Sequence, residues 1–319
     1  MSTLKKTITL LKSKKISNVV CGEILSKHSA WEIGGPADIF VTPIGSHELS
    51  SILKIAKAQS LPVVVIGSGS NLLFDDSGVR GIVIKIDTSF SSVEIENNRI
   101  LAGAGAWVPC LARAVAKAGL TGLEHIVGIP GTFGGLIYMN GGSLRKNIGE
   151  SVREVYVMDR EGTQHKISRE ECQFTYRHSL FQQTDYIILG AELECQAGES
   201  LAIRQEMLGI LRSRSIKFPR KMPNCGSVFV SDPAMYDSYG APGKIIEECM
   251  LKGFSVGGAE VSRHHANFIV NTGKATSVQV MKLINMIRRA VYVRTNYWLR
   301  CEVRFVTSSG IISPLHEFL

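Results

Sequence analysis

Apolar residues recur along this chain with helical and strand periods in alternation, and the alternation predicts a mixed α/β protein. In SHELSSILKIAKAQS (46–60), Leu49, Ile52, Leu53 and Ala56 fall on one helical face. LPVVVIG follows as a buried strand with Pro62 near its start, and GIVIKI (81–86) reads as a second strand. WVPCLARAVAKAG (107–119) predicts a short amphipathic helix, with Pro109 in the first turn and Gly119 at the stop. GIPGTFGG (128–135) is too rich in glycine for a stable helix interior and reads as a structured loop. Short strands come next at VREVYVMD (152–159), TQHKIS (163–168) and DYIILGAELECQ (185–196). A helix over about 198–215 ends in the basic LRSRSIK.

The pattern shifts at FPRKMPNCGS (218–227), where two prolines flank a charged segment, and a domain boundary is placed just before it. Beyond it, a helix opens after Pro242 and ANFIVN (266–271) reads as a strand. A long helix then carries Val280, Ile284, Ile287 and Val291 at helical spacing, and RCEVRFV (300–306) closes as a strand.

Composition narrows the class. The 319 residues are 45% hydrophobic and 20% charged, enough for two or three globular domains, and no run approaches the roughly 18 apolar residues of a membrane span. The N-terminal MSTLKKTITLLKSKK has lysines around a very short apolar run and no small-residue cleavage site, so a cytoplasmic protein is expected. Seven scattered cysteines without a CxxC pair argue against both a disulfide framework and a zinc site, leaving buried or partly buried free thiols. Of the net charge of +8, Lys5, Lys6, Lys12, Lys14 and Lys15 supply five, leaving +3 for the rest. That places the excess in a solvated tail, which does not fit a nucleic-acid surface.

Candidate chemistry starts at VIGSGSNLLFDD (65–76), a strand running into alternating glycine and serine. From Gly67 the spacing lacks the third glycine of the dinucleotide fingerprint, and the chain has no GxxxxGK[ST]. Spacing alone leaves a nucleotide loop and a plain tight turn both open. A second glycine loop, with Gly128, Gly131, Gly134 and Gly135, favours a long dinucleotide held by main-chain N–H groups.

AWEIGGPADIF (30–40), VIGSGSNLLFDD (65–76), GIPGTFGGLIYMNGG (128–142), FTYRHSLF (174–181), NCGSVF (224–229) and KGFSVGGAEVSRHHANFIVN (252–271) occur in this order. Together they resemble the UDP-N-acetylenolpyruvoylglucosamine reductases, in the shorter of that family's two types, over roughly residues 28–306. The resemblance implies an α+β fold: a two-subdomain FAD-binding unit of the vanillyl-alcohol-oxidase type with a C-terminal α+β substrate domain. Along the chain these are a basic arm (1–27), FAD subdomains (28–87 and 88–215) and the substrate domain (216–319).

The implied reaction is NADPH-dependent, FAD-mediated reduction of UDP-N-acetylglucosamine-enolpyruvate to UDP-N-acetylmuramate, a step of peptidoglycan precursor synthesis. By the same resemblance, Gly67, Ser68, Gly69, Ser70, Asn71 and Leu72 hold non-covalent FAD, together with Gly128, Ile129, Pro130, Gly131, Thr132 and Asn140. Ser227 matches the proton donor, and Arg177 and Glu302 match the groups at the substrate carboxylate; Tyr176 and Lys252 are substrate contacts. Without the motifs, Ser227 would be a turn or cap residue, and Arg177 and Glu302 surface ion-pair members. The adjacent His264 and His265 are expected to pack or hydrogen-bond, with no metal. NGGSLRKNIGE departs from the family's Asn-Ala-Gly-Ala-Tyr-Gly-like run, with Arg145 and Lys146 altering the local loop. The expected partners are the two small molecules, with no nucleic acid and no membrane insertion, and a monomer is expected. The rival readings are another FAD oxidoreductase of the same fold and an inactive nucleotide-binding protein.

Overall fold

The computed structural model describes residues 3–319, apart from the side chain of Ala234, so the first two residues of the basic arm lie outside the described residues. The chain forms two compact units, neither of them a continuous segment. The first gathers the residues up to Cys21, Ile39–Ser68 and Ile82–Arg214; the second gathers Gly22–Asp38, Gly69–Gly81 and Ser215–Leu319. The last crossing falls one residue before the segment assigned to the substrate domain, whereas residues 22–38 and 69–81 join that C-terminal third.

The first unit is built on an antiparallel sheet in the order Gln164–Ser168, Val152–Met158, Ile187–Glu194, Arg99–Gly103, Val93–Glu96. Val155, Val157, Ala191, Leu193 and Ile100 from its inner strands are buried. Helix Ser46–Ala58 buries the four apolar residues its periodicity marked. Strand Val63–Ile66 runs parallel to Val79–Lys85, with Val63 opposite Ile82 and Ile66 opposite Lys85.

The basic arm is not the solvated tail that its lysines implied. Thr3–Ser13 is a helix in which Thr7 and Leu11 are fully buried, with Leu4 and Ile8 packed partly against the core. These positions recur three or four apart and form one face, which leaves the five lysines exposed. Ser17 then donates its N–H and hydroxyl to Glu48 Oε1 (3.2 and 2.9 Å) and fixes the helix exit. Charge density misled because it concealed a minority apolar stripe.

GIPGTFGG is also corrected: Phe133–Tyr138 is a helix that includes Gly134 and Gly135. Its first amides are not left to solvent, since Phe133 N–H donates to Ala106 O and Gly134 N–H to Ala104 O (both 2.8 Å). A Cβ on Gly134 would lie 2.9 Å from Ala104 Cβ. The glycine serves close packing here, at the cost of helix propensity.

The second unit has its own core, with Trp31, Leu73, Phe229, Ile246, Ile284, Val291 and Phe305 among its members. Trp31 explains why an N-terminal segment belongs there: its indole N–H donates to Ile269 O (2.7 Å), and Asn271 Nδ2 donates to Trp31 O (2.9 Å). Leu72–Phe74 lies parallel to Arg304–Val306, which pairs antiparallel with Ile312–Pro314. A second small sheet joins Ser255–Val256, Ala259–Val261 and Ile269–Asn271. The strand expected over 300–306 is confined to Arg304–Val306, and Cys301 forms only an isolated bridge with Phe229.

Helix Ser277–Thr295 starts with a capping box between Thr276 and Gln279 and ends at Asn296 in the left-handed region (φ 55°). Asp76 accepts from the Ser277 N–H and hydroxyl (both 2.8 Å) and places a carboxylate at that helix's positive end. Cysteines 172, 195, 225 and 301 are buried and Cys249 half-buried, but Cys21 and Cys110 are exposed, against expectation. Among the described residues, no helix is long and apolar enough to cross a membrane.

Leu11→Ala is expected to cost about 2–4 kcal/mol of stability, read from the urea midpoint, because it empties a fully buried site. An unchanged midpoint would return the arm to the status of a tail.

Candidate active site

In the first unit the two glycine loops meet. Gly67 ends strand Val63–Ile66, and a Cβ there would overlap the Thr132 hydroxyl. Thr132 is buried and stands at the N-cap position of helix Phe133–Tyr138. Gly131 adopts φ 157°, and its carbonyl accepts from Val108 N–H (3.0 Å). At Gly128 the space a side chain would need is filled by the Arg214 side chain, which lies across the loop. Sequence reasoning missed Arg214, because an arginine near a helix C-terminus is already accounted for by the helix dipole.

The FTYRHS segment forms a four-residue turn. Thr175 and His178 exchange both main-chain hydrogen bonds (3.1 and 3.0 Å), and Arg177 sits in the left-handed region at φ 57°. An arginine at that turn position is a strained choice, since it is normally held by glycine or asparagine. Arg177 Nη2 donates to Gly142 O (3.3 Å), and the guanidinium carbon lies 5.3 Å from the Tyr176 ring centroid. Tyr176 is about half exposed. Asn140 is almost wholly buried at φ 41°; its amide donates to Thr175 O (2.8 Å) and accepts from Gly149 N–H (3.0 Å). The departing loop that follows carries Leu144 and Arg145 at positive φ before a capping box between Asn147 and Glu150.

The second unit brings together Asn71, Ser227 and Glu302. Asn71 clamps one side of Glu302: its side-chain amide donates to Glu302 O (3.1 Å), and its main-chain carbonyl accepts from Arg304 N–H (3.1 Å). Glu302 N–H donates to Val228 O (2.8 Å), so the irregular segment carrying Glu302, just before strand Arg304–Val306, lies against the residue after Ser227. Gly226, at φ 77°, is turned by Asn224 Oδ1, which accepts its N–H (3.0 Å). Asn267, also missed from sequence, bonds both main-chain groups of Phe229 (2.9 Å each) and holds the irregular segment that follows Ser227.

Gly69 has φ 65°, and a Cβ there would overlap the His28 carbonyl oxygen. Beneath this loop the Cys225 thiol donates to Leu72 O (3.4 Å), and burial raises its pKa far above the ordinary value. Lys252 pairs with Glu247 (2.7 Å). The sequence-predicted residues therefore fall into two sets. Gly67, Ser68, Gly128–Thr132, Asn140, Tyr176 and Arg177 lie in the first unit; Gly69–Leu72, Ser227, Lys252 and Glu302 lie in the second.

His265 packs tilted against Phe218 and edge-on to Phe268 (5.5 and 5.1 Å between centroids), and its Nδ1 accepts from Asn267 N–H (3.2 Å). The neutral ring thus carries its proton on Nε2, and burial, aided by the Lys252 charge, lowers its pKa. His264 is exposed. No group of three or more His, Cys, Asp or Glu is placed to hold a metal among the described residues.

Residues 37–168 match the FAD binding domain, and residues 218–306 match the C-terminal domain of UDP-N-acetylenolpyruvoylglucosamine reductase. Fold and loops define an FAD-binding oxidoreductase. UDP-N-acetylenolpyruvoylglucosamine reductase 1 of Corynebacterium glutamicum is 47% identical over 293 residues, 92% of this chain and 88% of that protein. The reductase of Heliobacterium modesticaldum is 39% identical over 90% of each chain. The crystal structure of the Thermus caldophilus enzyme superposes with a TM-score of 0.75 at 31% identity, covering 90% of this chain and 98% of that one. The chain belongs to the UDP-N-acetylenolpyruvoylglucosamine reductase family.

Behind the Gly128 loop, burial, with Lys146 adding to it, lowers the pKa of His125 below its ordinary 6.5. A histidine held neutral in the fold but able to charge once unfolded gives stability that is complete above the unfolded pKa and is lost as pH falls below it. Unfolding free energy is expected to drop between pH 7 and pH 5, and His125→Phe should flatten that dependence. An unchanged slope in the variant would assign the loss to other groups.

Proposed function

We propose that the protein reduces UDP-N-acetylglucosamine-enolpyruvate to UDP-N-acetylmuramate with NADPH as reductant. The observation that carries this reading is the clamp in the second unit: Asn71, from the glycine–serine loop, fixes the main chain of Glu302, and Glu302 abuts the segment of Ser227. A catalytic carboxylate and a hydroxyl positioned from the cofactor loop itself fit reduction of an enolpyruvyl group better than alcohol oxidation by another FAD enzyme. They also give an inactive nucleotide-binding protein nothing to preserve.

The residues of the two glycine loops fit a dinucleotide. Gly67, Gly69 and Gly128 stand where Thr132, His28 and Arg214 leave no room for a Cβ. Arg214 adds a fixed positive charge suited to phosphate. Gly67–Leu72, Gly128–Thr132 and Arg214 would hold FAD without a covalent bond. When bound, FAD supplies the relay of a hydride from NADPH to the terminal carbon of the enolpyruvyl group.

The chain's own groups handle the charge and the proton. Hydride arriving at the terminal carbon drives negative charge onto the substrate carboxylate, and the permanently charged Arg177 guanidinium neutralises it there. Glu302 polarises the substrate carboxylate only as the protonated acid, donating a hydrogen bond to it. Ser227 donates the proton to the adjacent carbon, a task a weakly acidic hydroxyl performs only late, once that carbon is strongly basic. Tyr176 and Lys252 contact the substrate, and the enzyme works as a cytoplasmic monomer.

An anaerobic flavin spectrum tests the reading: NADPH should bleach the flavin, and the enolpyruvyl substrate should restore it. Bleaching without return would point to another acceptor. Ser227→Ala should still bleach but reoxidise slower by about 10²–10⁴-fold. Equal loss of both half-reactions would remove Ser227 from its role. Arg177→Gly suits a left-handed turn residue, so the thermal midpoint should hold while reoxidation falls by about 10²–10³-fold.

A further inference from the structure

We propose that Asn140 and Gln182 are positioning residues for Arg177, and that Asn140 acts on the reaction through the Thr175–His178 turn and not as a cofactor ligand. This rests on the assignment of Arg177 to the substrate carboxylate. Both ends of the buried Asn140 amide are engaged within the protein, on Thr175 O at 2.8 Å and Gly149 N–H at 3.0 Å. Thr175 is the first residue of the turn, so this bond anchors its entry.

The far side is anchored from the same place. Gln182 Nε2 donates to Arg177 O (3.0 Å) and to Tyr138 O (2.9 Å), and the Ser179 hydroxyl donates to Tyr138 O (2.7 Å). Tyr138 is the last residue of helix Phe133–Tyr138, and Asn140 follows it by two. The end of one helix thus holds both sides of a turn whose arginine occupies a backbone conformation it would otherwise avoid. Gly149 completes the seat: a Cβ there would come within 2.9 Å of Asn140 Oδ1 and 2.7 Å of the Phe174 ring. Loss of the anchors lets Arg177 relax toward negative φ and carries its guanidinium away from its set position.

Asn140→Gly separates the two demands on this residue, because glycine keeps the left-handed backbone and removes only the amide. FAD content and NADPH-driven bleaching should stay within about two-fold, while single-turnover reoxidation by the enolpyruvyl substrate slows by about 10- to 100-fold, as for a modest misplacement of a reacting group. In an Arg177→Gly background, Asn140→Gly should cause no further slowing. Loss of FAD from Asn140→Gly would make Asn140 a cofactor ligand and overturn the proposal, as would equal slowing in both backgrounds or no slowing at all. If Arg177→Gly alone left reoxidation intact, the Arg177 assignment itself would fall and take the positioning role with it. Should Asn140→Gly not fold, Gln182→Met removes the anchor at the Arg177 carbonyl and is read by the same criteria.

Discussion

The contact on which the first unit depends is the one between Gly67 and Thr132, where backbone and hydroxyl approach too closely for any side chain at residue 67. It sets the end of strand Val63–Ile66 against the start of helix Phe133–Tyr138. From there, order passes by hydrogen bonds alone. Thr132 begins the helix, the Tyr138 carbonyl ends it, and Ser179 and Gln182 bond to that carbonyl. The turn carrying Arg177 is thereby referred back to the glycine loop through a helix of six residues. Such a helix has little stability of its own, and the amides at its N-terminus are satisfied by Ala104 and Ala106.

The second unit solves the same problem with asparagines. The Asn71 side chain holds Glu302, Asn267 holds Phe229, Asn271 holds Trp31, and Asn224 turns Gly226. Each offers donor and acceptor on one short, stiff side chain, which suits stapling irregular main chain where no ladder exists. Ser227 and Glu302 both lie on such irregular stretches, next to a single isolated bridge at Phe229 and Cys301.

Much of this was legible in the chain. Periodicity placed the helices of 46–58, 108–117 and 277–295, because each buries a stripe that spacing alone reveals. The family was legible because its motifs are the loops themselves. What escaped had physical reasons. The arm helix hid behind five lysines, since four partly or fully buried positions stabilise a helix that average polarity conceals. Gly134 and Gly135 count against a helix in any local reading, yet Ala104 lies close enough to require Gly134. That residues 22–38 and 69–81 join the C-terminal third was beyond reach, because Trp31 finds its partner 240 residues along the chain. Arg214, Gln182 and Asn267 carry no local signature, as their importance lies wholly in what they touch.

Magnitudes decide why the turn at Arg177 needs so many ties. A non-glycine residue in the left-handed region costs roughly 1–2 kcal/mol, and Asn140, also there, adds a smaller amount because asparagine tolerates it better. Each buried amide-to-carbonyl bond returns only about 0.5–1.5 kcal/mol net. The bonds from Asn140 to Thr175 and from Gln182 to Arg177 therefore about offset the two strained backbones, with little surplus. A glycine at 177 would spare most of that cost and loosen the demand on both anchors. Arg177 stands against its own backbone preference, and under the proposed function the return for that cost is the charge it brings to the substrate carboxylate.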